Sequence, residues 1–413
     1  MTSDSDMLDV VVVGAGSVGL GVSYALVQAG LRHRVLERNR IGETWRTQRW
    51  DAFRMNTPRI ETVLPGERYE GSDPEGFMTR DEFVDLLENF AARNRLPVET
   101  DMPVTDLARS EDGSYRLATP GGTLGARNVI IASGSLNCPR RPPGAAALPP
   151  DLAQIDASAY RNAAALPSGA VLVVGSAQTG GQIAEDLVLA GRTVFLSTCR
   201  VGRMPRRYRG KDIVLWMRQT GMMTVPRKEF VEPSGRIAPR PLVGAVHTIS
   251  LQSLSAQGAV LLGRFTGVDD DGRLIFAGDL ENNMRFADES SAKMKAQVDD
   301  FIARNNLDAP RATDDPAEVV APRLPNPPIR SLDLRDHGIT AVIWCTGFRG
   351  DYSWVRLPGI VDDQGRPVHD ECVSPLPGIY FAGLDFAVTR ASGTILAIAP
   401  EAKRIVEHID SRH

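Results

Sequence analysis

One pattern is written twice in this chain. Residues 9–19 read DVVVVGAGSVG: a β-branched run, Val10 to Val13, enters Gly14-Ala15-Gly16-Ser17-Val18-Gly19 and then an apolar stretch through Leu26 that stops at Ala29-Gly30. Residues 170–180 read AVLVVGSAQTG: Val171 to Val174 enter Gly175-Ser176-Ala177-Gln178-Thr179-Gly180, and GQIAEDLVLAG follows, ending at Ala190-Gly191. Gly14 and Gly175 stand 161 positions apart, as do Gly30 and Gly191. An unbroken valine-rich run is what a parallel strand covered on both faces looks like. In the turn that follows, the first glycine permits the tight reversal. The second lets backbone approach a pyrophosphate, and the third lets the new helix lie close on the strand. The helix start offers unpaired N–H donors and partial positive charge to phosphates. A glycine just past the helix end suits the left-handed cap. Each copy leads to another apolar strand, Arg34 to Leu36 and Thr193 to Leu196. The repeat predicts an α/β fold with two Rossmann-like dinucleotide-binding domains.

The copies differ where specificity is set. Glu37 ends the strand after the first copy, 18 residues past Gly19, where a carboxylate binds ribose hydroxyls. The equivalent position of the second copy holds Thr198, and Ala177 replaces the middle glycine. Arg200, Arg203 and the run Arg206-Arg207-Tyr208-Arg209-Gly210-Lys211 follow. A carboxylate would repel a 2′-phosphate and threonine does not, while guanidinium groups attract it, so this copy is expected to select NADP(H). The other reading of the run is a solvated basic surface loop.

At 413 residues the chain exceeds one ordinary domain. Thr79-Arg80-Asp81-Glu82 is a capping box opening a helix through about Arg93. Asp112-Gly113 and Gly121-Gly122 mark hairpins within 98–131, and the strand Asn128 to Ala132 ends at Ser133-Gly134. Proline-rich stretches at 138–150 and 322–328 mark two crossings between domains. A helix is expected from Ser290 to Ala303 and a strand from Ile339 to Trp344, ending in Cys345-Thr346-Gly347-Phe348. Gly378 to Asp385 reads strand then turn, and Ser392-Gly393-Thr394-Ile395 opens a final helix. The second module is therefore inserted into the first, with divisions at 1–165, 166–330 and 331–413.

Net charge is −4 with no basic half, which argues against nucleic acid as a partner. No apolar run reaches the roughly 20 residues that span a bilayer. The start, MTSDSDM, is acidic where a signal peptide is basic, so a cytoplasmic location is expected, without a membrane partner. Cys138, Cys199, Cys345 and Cys372 are too scattered for a C-x-x-C pair and read as free thiols. The six histidines have no metal-ligand spacing, so no metal is expected.

Several motifs in order resemble the flavin-containing monooxygenases and their bacterial branch over nearly the whole chain. GAGSVG with Glu37 resembles that family's FAD fingerprint, and ERNRIGETWR at 37–46 its E…GG-x-W-R segment, with Glu43 for one glycine. RMNTP at 54–58 resembles the stretch carrying an asparagine beside the flavin. GSAQTGGQIAEDL resembles the NADPH fingerprint, RMPRRYRGKD a bacterial signature, and WCTGF at 344–348 the A-T-G-[YF] strand end. The chain departs from the Baeyer–Villiger fingerprint: QIDASAYRN at 154–162 keeps Tyr160 but has Asp156 where histidine belongs. The redox C-x-x-x-x-C of disulfide reductases is absent.

The resemblance implies FAD in the outer domain and NADPH in the inserted one. It assigns Gly14, Gly16, Ser17, Gly19, Glu37, Arg38, Trp45, Arg46, Val104, Gly383 and Thr394 to FAD. It assigns Gly175, Ser176, Gln178, Thr179, Gly180, Thr198, Arg200, Arg206, Arg207, Thr346 and Gly347 to NADPH. It implies a C4a-(hydro)peroxyflavin that oxygenates a small organic substrate with O₂, a nitrogen or sulfur nucleophile being favoured. Asn56 is read either as the amide beside that peroxide or as an Asn-x-Pro turn residue. Trp45 covers the flavin or fills core. A homodimer is an allowed assembly. The alternatives are a Baeyer–Villiger or oxidative-decarboxylating enzyme, an NADPH oxidase or flavin reductase, and a redox-sensing binding protein without turnover.

Overall fold

A computed structural model describes residues 7–232, 237 and 239–412. Most of the acidic start weighed above, residues 1–6, lies outside them. The first repeat folds as the strand Leu8–Val13 and the helix Ser17–Gln28, the second as Ala170–Val174 and Gln178–Leu189. Both helices end alike. The Leu31 N–H donates to Leu26 and the Gly30 N–H to Val27; Arg192 donates to Leu187 and Gly191 to Val188. Both glycines have positive φ, +71° and +78°, so each end is a Schellman cap.

The two strands nucleate separate sheets. Leu8–Val13 lies between His33–Leu36 and Gly122–Ile131, parallel to both, with Val98–Glu99 beyond His33–Leu36. The antiparallel meander Asp106–Arg109, Tyr115–Thr119, Gly122–Ile131 turns at the expected Asp112-Gly113 and Gly121-Gly122. Ile379–Phe381 returns to pair with Gly122–Ile131. The second sheet is wholly parallel, in the order Val260–Leu262, Val194–Ser197, Ala170–Val174, Ile339–Trp344, Ala153–Asp156. The helix Arg80–Arg93 carries both bonds of its capping box. The helix expected from Ser290 is longer, Leu280–Arg304.

The strand pairing moves the domain divisions. Ile339–Trp344 was expected in the returning part of the first domain, and Ala153–Asp156 in its opening part, yet both pair in the second sheet. The proline-rich 322–328 is thus an internal loop of the second domain. The crossings are made at Cys138–Pro139 and Phe348–Arg349, which pair antiparallel with each other. The physical reason is burial: Ala341, Val342 and Ile343 are inaccessible to solvent between two parallel neighbours, a place only a central strand offers. One contiguous apolar core joins Val12, Leu20 and Ile130 of the first sheet to Val171, Ile183 and Ile343 of the second.

The last helix, Ile398–Asp410, buries Glu401 in its first turn, where Oε1 has no hydrogen-bond partner among the described residues. Burial pushes this carboxyl up to about 7 from the ordinary 4.5, against the opposing pull of Ser392 and Arg404. The folded state therefore holds the proton more tightly than the unfolded chain. This group's contribution is full below about pH 4.5 and is lost as pH rises through about 7. Glu401→Gln should match the wild type in urea midpoint near pH 5 and exceed it near pH 8. Parallel midpoint curves across that range would show that the carboxyl titrates normally.

Candidate active site

Each glycine loop presses a helix start onto a strand end. The Gly14 N–H donates to the Leu36 carbonyl at 2.8 Å, and that of Gly175 to Ser197 at 2.9 Å. A Cβ on Gly14 would lie 2.5 Å from the Ala132 oxygen, and one on Gly175 2.5 Å from the Cys345 oxygen. At the third glycines, a Cβ would lie 1.9 Å from the Gly14 oxygen at Gly19 and 1.8 Å from the Gly175 oxygen at Gly180. At Gly16 nothing lies within 4 Å of a Cβ, so the outer face of that loop is open to a ligand.

Around the first loop runs a groove of about 180 Å³ lined by Gly14, Gly16, Glu37, Arg38, Trp45 and Gly383 among others. Glu37 is buried at its floor, accepting from the Ala15 N–H at 2.8 Å and the Asn39 N–H at 3.0 Å. Trp45 packs edge-on against Phe83 at 4.7 Å and also lines the groove. The Arg49 guanidinium stands 4.6 Å over its ring, and burial pushes that group down to about 10. No motif flagged Arg49, which itself lines the groove and also stands 5.6 Å over the Phe53 ring. Ser17 opens the helix and Val104 packs half-buried against the core; neither lines the groove. Arg46 turns away to Glu88 and the Ile41 carbonyl. Thr394 does not open a helix directly: it precedes one 3₁₀ turn, Ile395–Ala397, and donates to the Ala391 carbonyl at 2.7 Å.

The second loop is less open. Ser176 is buried and accepts from the Cys199 N–H at 3.0 Å. Thr179 and Gly180 stand in the first turn of the helix. Thr346 donates to the Arg140 carbonyl, and Gly347, at φ +98°, accepts from the Arg140 N–H at 2.9 Å, so this pair pins the crossing ribbon.

Three expectations about NADP(H) selection need correction. Thr198 is buried, donating to Leu262 at 2.7 Å and accepting from Asn283 at 3.1 Å, so it ties a strand rather than facing a ligand. Arg206 is buried against Asp212 at 2.5 Å and also donates to the Gly244 and Asn56 carbonyls. Arg207 pairs with Glu75 of the first domain. Arg203 is likewise spent on Asp288 and Glu318. These arginines follow the second loop in sequence, but carboxylates from elsewhere claim them. Arg200 remains: it is exposed, stacks 4.2 Å over Phe286, and has no carboxylate partner among the described residues.

Between the domains lies a cavity of about 510 Å³. Its walls are apolar, with Met204, Met217, Met223, Met294, Phe230 and Phe386, and its polar groups include Asn56, Gln178 and Arg200. Asn56 sits at a bend before Pro58, and its Oδ1 accepts from Gln182 at 2.9 Å and Gln178 at 3.3 Å. Gln178 opens the second helix and also accepts from the Val243 N–H at 3.0 Å. Asn56 is thus fixed by the second domain, and its Nδ2 has no acceptor among the described residues. Gln182 had no signal in the sequence beyond lying one turn after Gln178. Among the described residues, no cluster of His, Cys, Asp or Glu could hold a metal, and no helix is long and apolar enough to cross a membrane.

Two dinucleotide folds packed over a shared cavity define a pyridine-nucleotide-dependent oxidoreductase. The chain belongs to the pyridine nucleotide-disulphide oxidoreductase family, which matches residues 11–219. Its four cysteines are free. It is 30% identical to an uncharacterized CzcO-like oxidoreductase of Geobacillus kaustophilus, over 98% of both chains. It is 29% identical to the indole-3-pyruvate monooxygenase YUCCA1 of Oryza sativa, over 44% of this chain and 45% of that one. The fold matches a flavin-containing monooxygenase from Stenotrophomonas maltophilia with a TM-score of 0.66, at 19% identity, over 98% of this chain and 99% of that one.

Arg206 and Asp212 form an ion pair with both side chains buried. Burial pushes Arg206 down and Asp212 up, and each opposes the shift of the other. Arg206→Met strands a buried carboxylate and should cost about 3–5 kcal/mol in urea unfolding. A loss below about 1 kcal/mol, with weaker NADPH binding instead, would return Arg206 to the cofactor set.

Proposed function

We propose that this protein is an FAD-dependent, NADPH-consuming monooxygenase that oxygenates a small, largely apolar substrate in the cavity between its domains. The observation that carries the reading is the position of that cavity. Its wall contains Asn56 of the first domain, Gln178 at the start of the second domain's loop helix, and Thr394 before the last helix. The open face at Gly16, the buried Glu37 and the Trp45 wall fit FAD, with Gly14, Arg38 and Gly383 completing the groove. Gly175, Gly180, Gln178 and Arg200 are the residues that would hold NADPH, Arg200 supplying the cation for its 2′-phosphate.

The bound cofactors supply hydride and activate O₂. The net reaction is substrate + O₂ + NADPH + H⁺ → oxygenated substrate + H₂O + NADP⁺. The chain's own part is positioning and exclusion of water. Methionine and phenylalanine walls keep water from the reacting oxygen. Asn56 presents a fixed amide donor, held from behind by Gln182 and Gln178. Among the described residues, the ionisable side chains in the wall are three arginines and Glu232, an arrangement without a general acid–base pair. A nitrogen or sulfur nucleophile that attacks unaided suits such a site.

Turnover under ¹⁸O₂ is expected to place one labelled oxygen in an N- or S-oxide, with one NADPH consumed per product. NADPH consumption matched entirely by H₂O₂ across amines, sulfides and ketones would move the protein to the oxidases. Asn56→Ala should keep much of its NADPH oxidation while diverting output from product to H₂O₂; unchanged coupling would leave Asn56 a turn residue. Arg200→Ala should raise KM for NADPH about 10- to 100-fold with little change for NADH, as for loss of a charge-assisted hydrogen bond. Wild-type protein using both nucleotides equally well would rule out that role for Arg200.

A further inference from the structure

The interdomain cavity holds a guanidinium that has no carboxylate partner among the described residues. Arg390 lies on the segment between Gly383 and the last helix, anchored by its N–H to the Val225 carbonyl at 3.0 Å. Its side chain lines the cavity, with Cζ 5.0 Å over the Phe230 ring. Phe230 meets Phe386 edge-on at 5.4 Å, and Arg240 caps Phe386 at 4.2 Å. The two arginines thus bracket a phenylalanine pair, but they are not equivalent. Arg240 donates to Asp385 at 3.1 Å and to the carbonyls of Arg390 and Ser392. Arg390 makes no side-chain hydrogen bond or ion pair among the described residues, and its buried Nε has no acceptor. Glu232 also lines the cavity. Burial, and then the charge of Arg240, pushes the Arg390 guanidinium down.

An arginine cannot escape this by losing its proton. A half-buried cation without an acceptor is costly unless an anion completes it. The rest of the cavity is built for an apolar body, and its volume of about 510 Å³ suits a small organic molecule. We propose that the substrate is an apolar organic acid whose carboxylate is taken by Arg390, the phenylalanine and methionine walls holding the remainder. Arg390 is then the residue that sets substrate class and orientation, through the paired N–H donors that match a carboxylate. This rests on the reading of the cavity as the substrate site.

The test uses the full-length, flavin-loaded protein and a graded series of phenylalkanoates and straight-chain fatty acids, each beside its methyl ester. Binding is measured by calorimetry and by perturbation of the flavin spectrum. At least one acid should bind about tenfold or more tightly than its ester. Arg390→Met should weaken that acid by about 10- to 100-fold, leave the ester unchanged, and leave KM for NADPH unchanged. Arg390→Lys, which keeps the charge, should recover part of the loss and guards against misfolding of the methionine variant. The proposal is overturned if no acid in the series outbinds its ester. It is equally overturned if Arg390→Met keeps the acid-to-ester ratio, or if the loss falls on NADPH. Failure of the monooxygenase reading is seen separately, as missing ¹⁸O in the product, and leaves the binding result standing.

Discussion

Everything in this molecule hangs on two places where a helix start touches a strand end with no room for a side chain. A methyl group at Gly19 or Gly180 would sit far inside the contact distance of a backbone oxygen in its own loop. That contact fixes the angle between strand and helix. The angle in turn sends the N–H groups of the first helical turn toward the groove, where an anion can meet them. The loops are not equally open. The first has bare backbone at Gly16; the second has Ala177, and its neighbour Ser176 is spent on Cys199. Two sites of one design are thereby made unequal by a few atoms.

The cavity between the domains depends on polar contacts that cross the interface. Asn56 from one side is held by Gln178 and Gln182 from the other, and its carbonyl receives Arg206. Arg207 with Glu75 and Arg218 with Glu61 add ion pairs across the same boundary. A basic run that looks on paper like phosphate-binding apparatus is in the folded chain tied up in structural contacts, with Arg206 and Arg207 reaching across to the first domain. Within that run and its flank, Arg200 and Lys211 have no carboxylate partner among the described residues, and each lies over an aromatic ring instead.

This explains what sequence could and could not reveal. The glycine loops, the Schellman caps and the capping box at Thr79 are local, each decided by neighbours within a few residues, and all were legible. The fate of the arginines was not, because their partners stand far off in the chain: Glu75 for Arg207, and Asp288 and Glu318 for Arg203. The domain division after residue 330 failed for a related reason. Proline marks a break in local structure, but only long-range pairing reveals which sheet the next strand, Ile339–Trp344, will join. The cavity was invisible because its methionines, phenylalanines and Arg390 come from segments scattered between Asn56 and Leu396.

The two crossing strands, Cys138–Pro139 and Phe348–Arg349, are hydrogen-bonded neighbours. Adjacent strands lie about 5 Å apart, so the second domain leaves and re-enters its host through a gap one strand wide. A guest whose ends already meet can be accommodated by opening a single loop of the host, without rearranging the host's sheet. Gene duplication followed by insertion of the copy into a loop of the original would produce this architecture in one event. The ribbon at residues 138 and 348 would then be the seam of that graft, and cutting there and rejoining the short ends should return a single-nucleotide ancestor in outline.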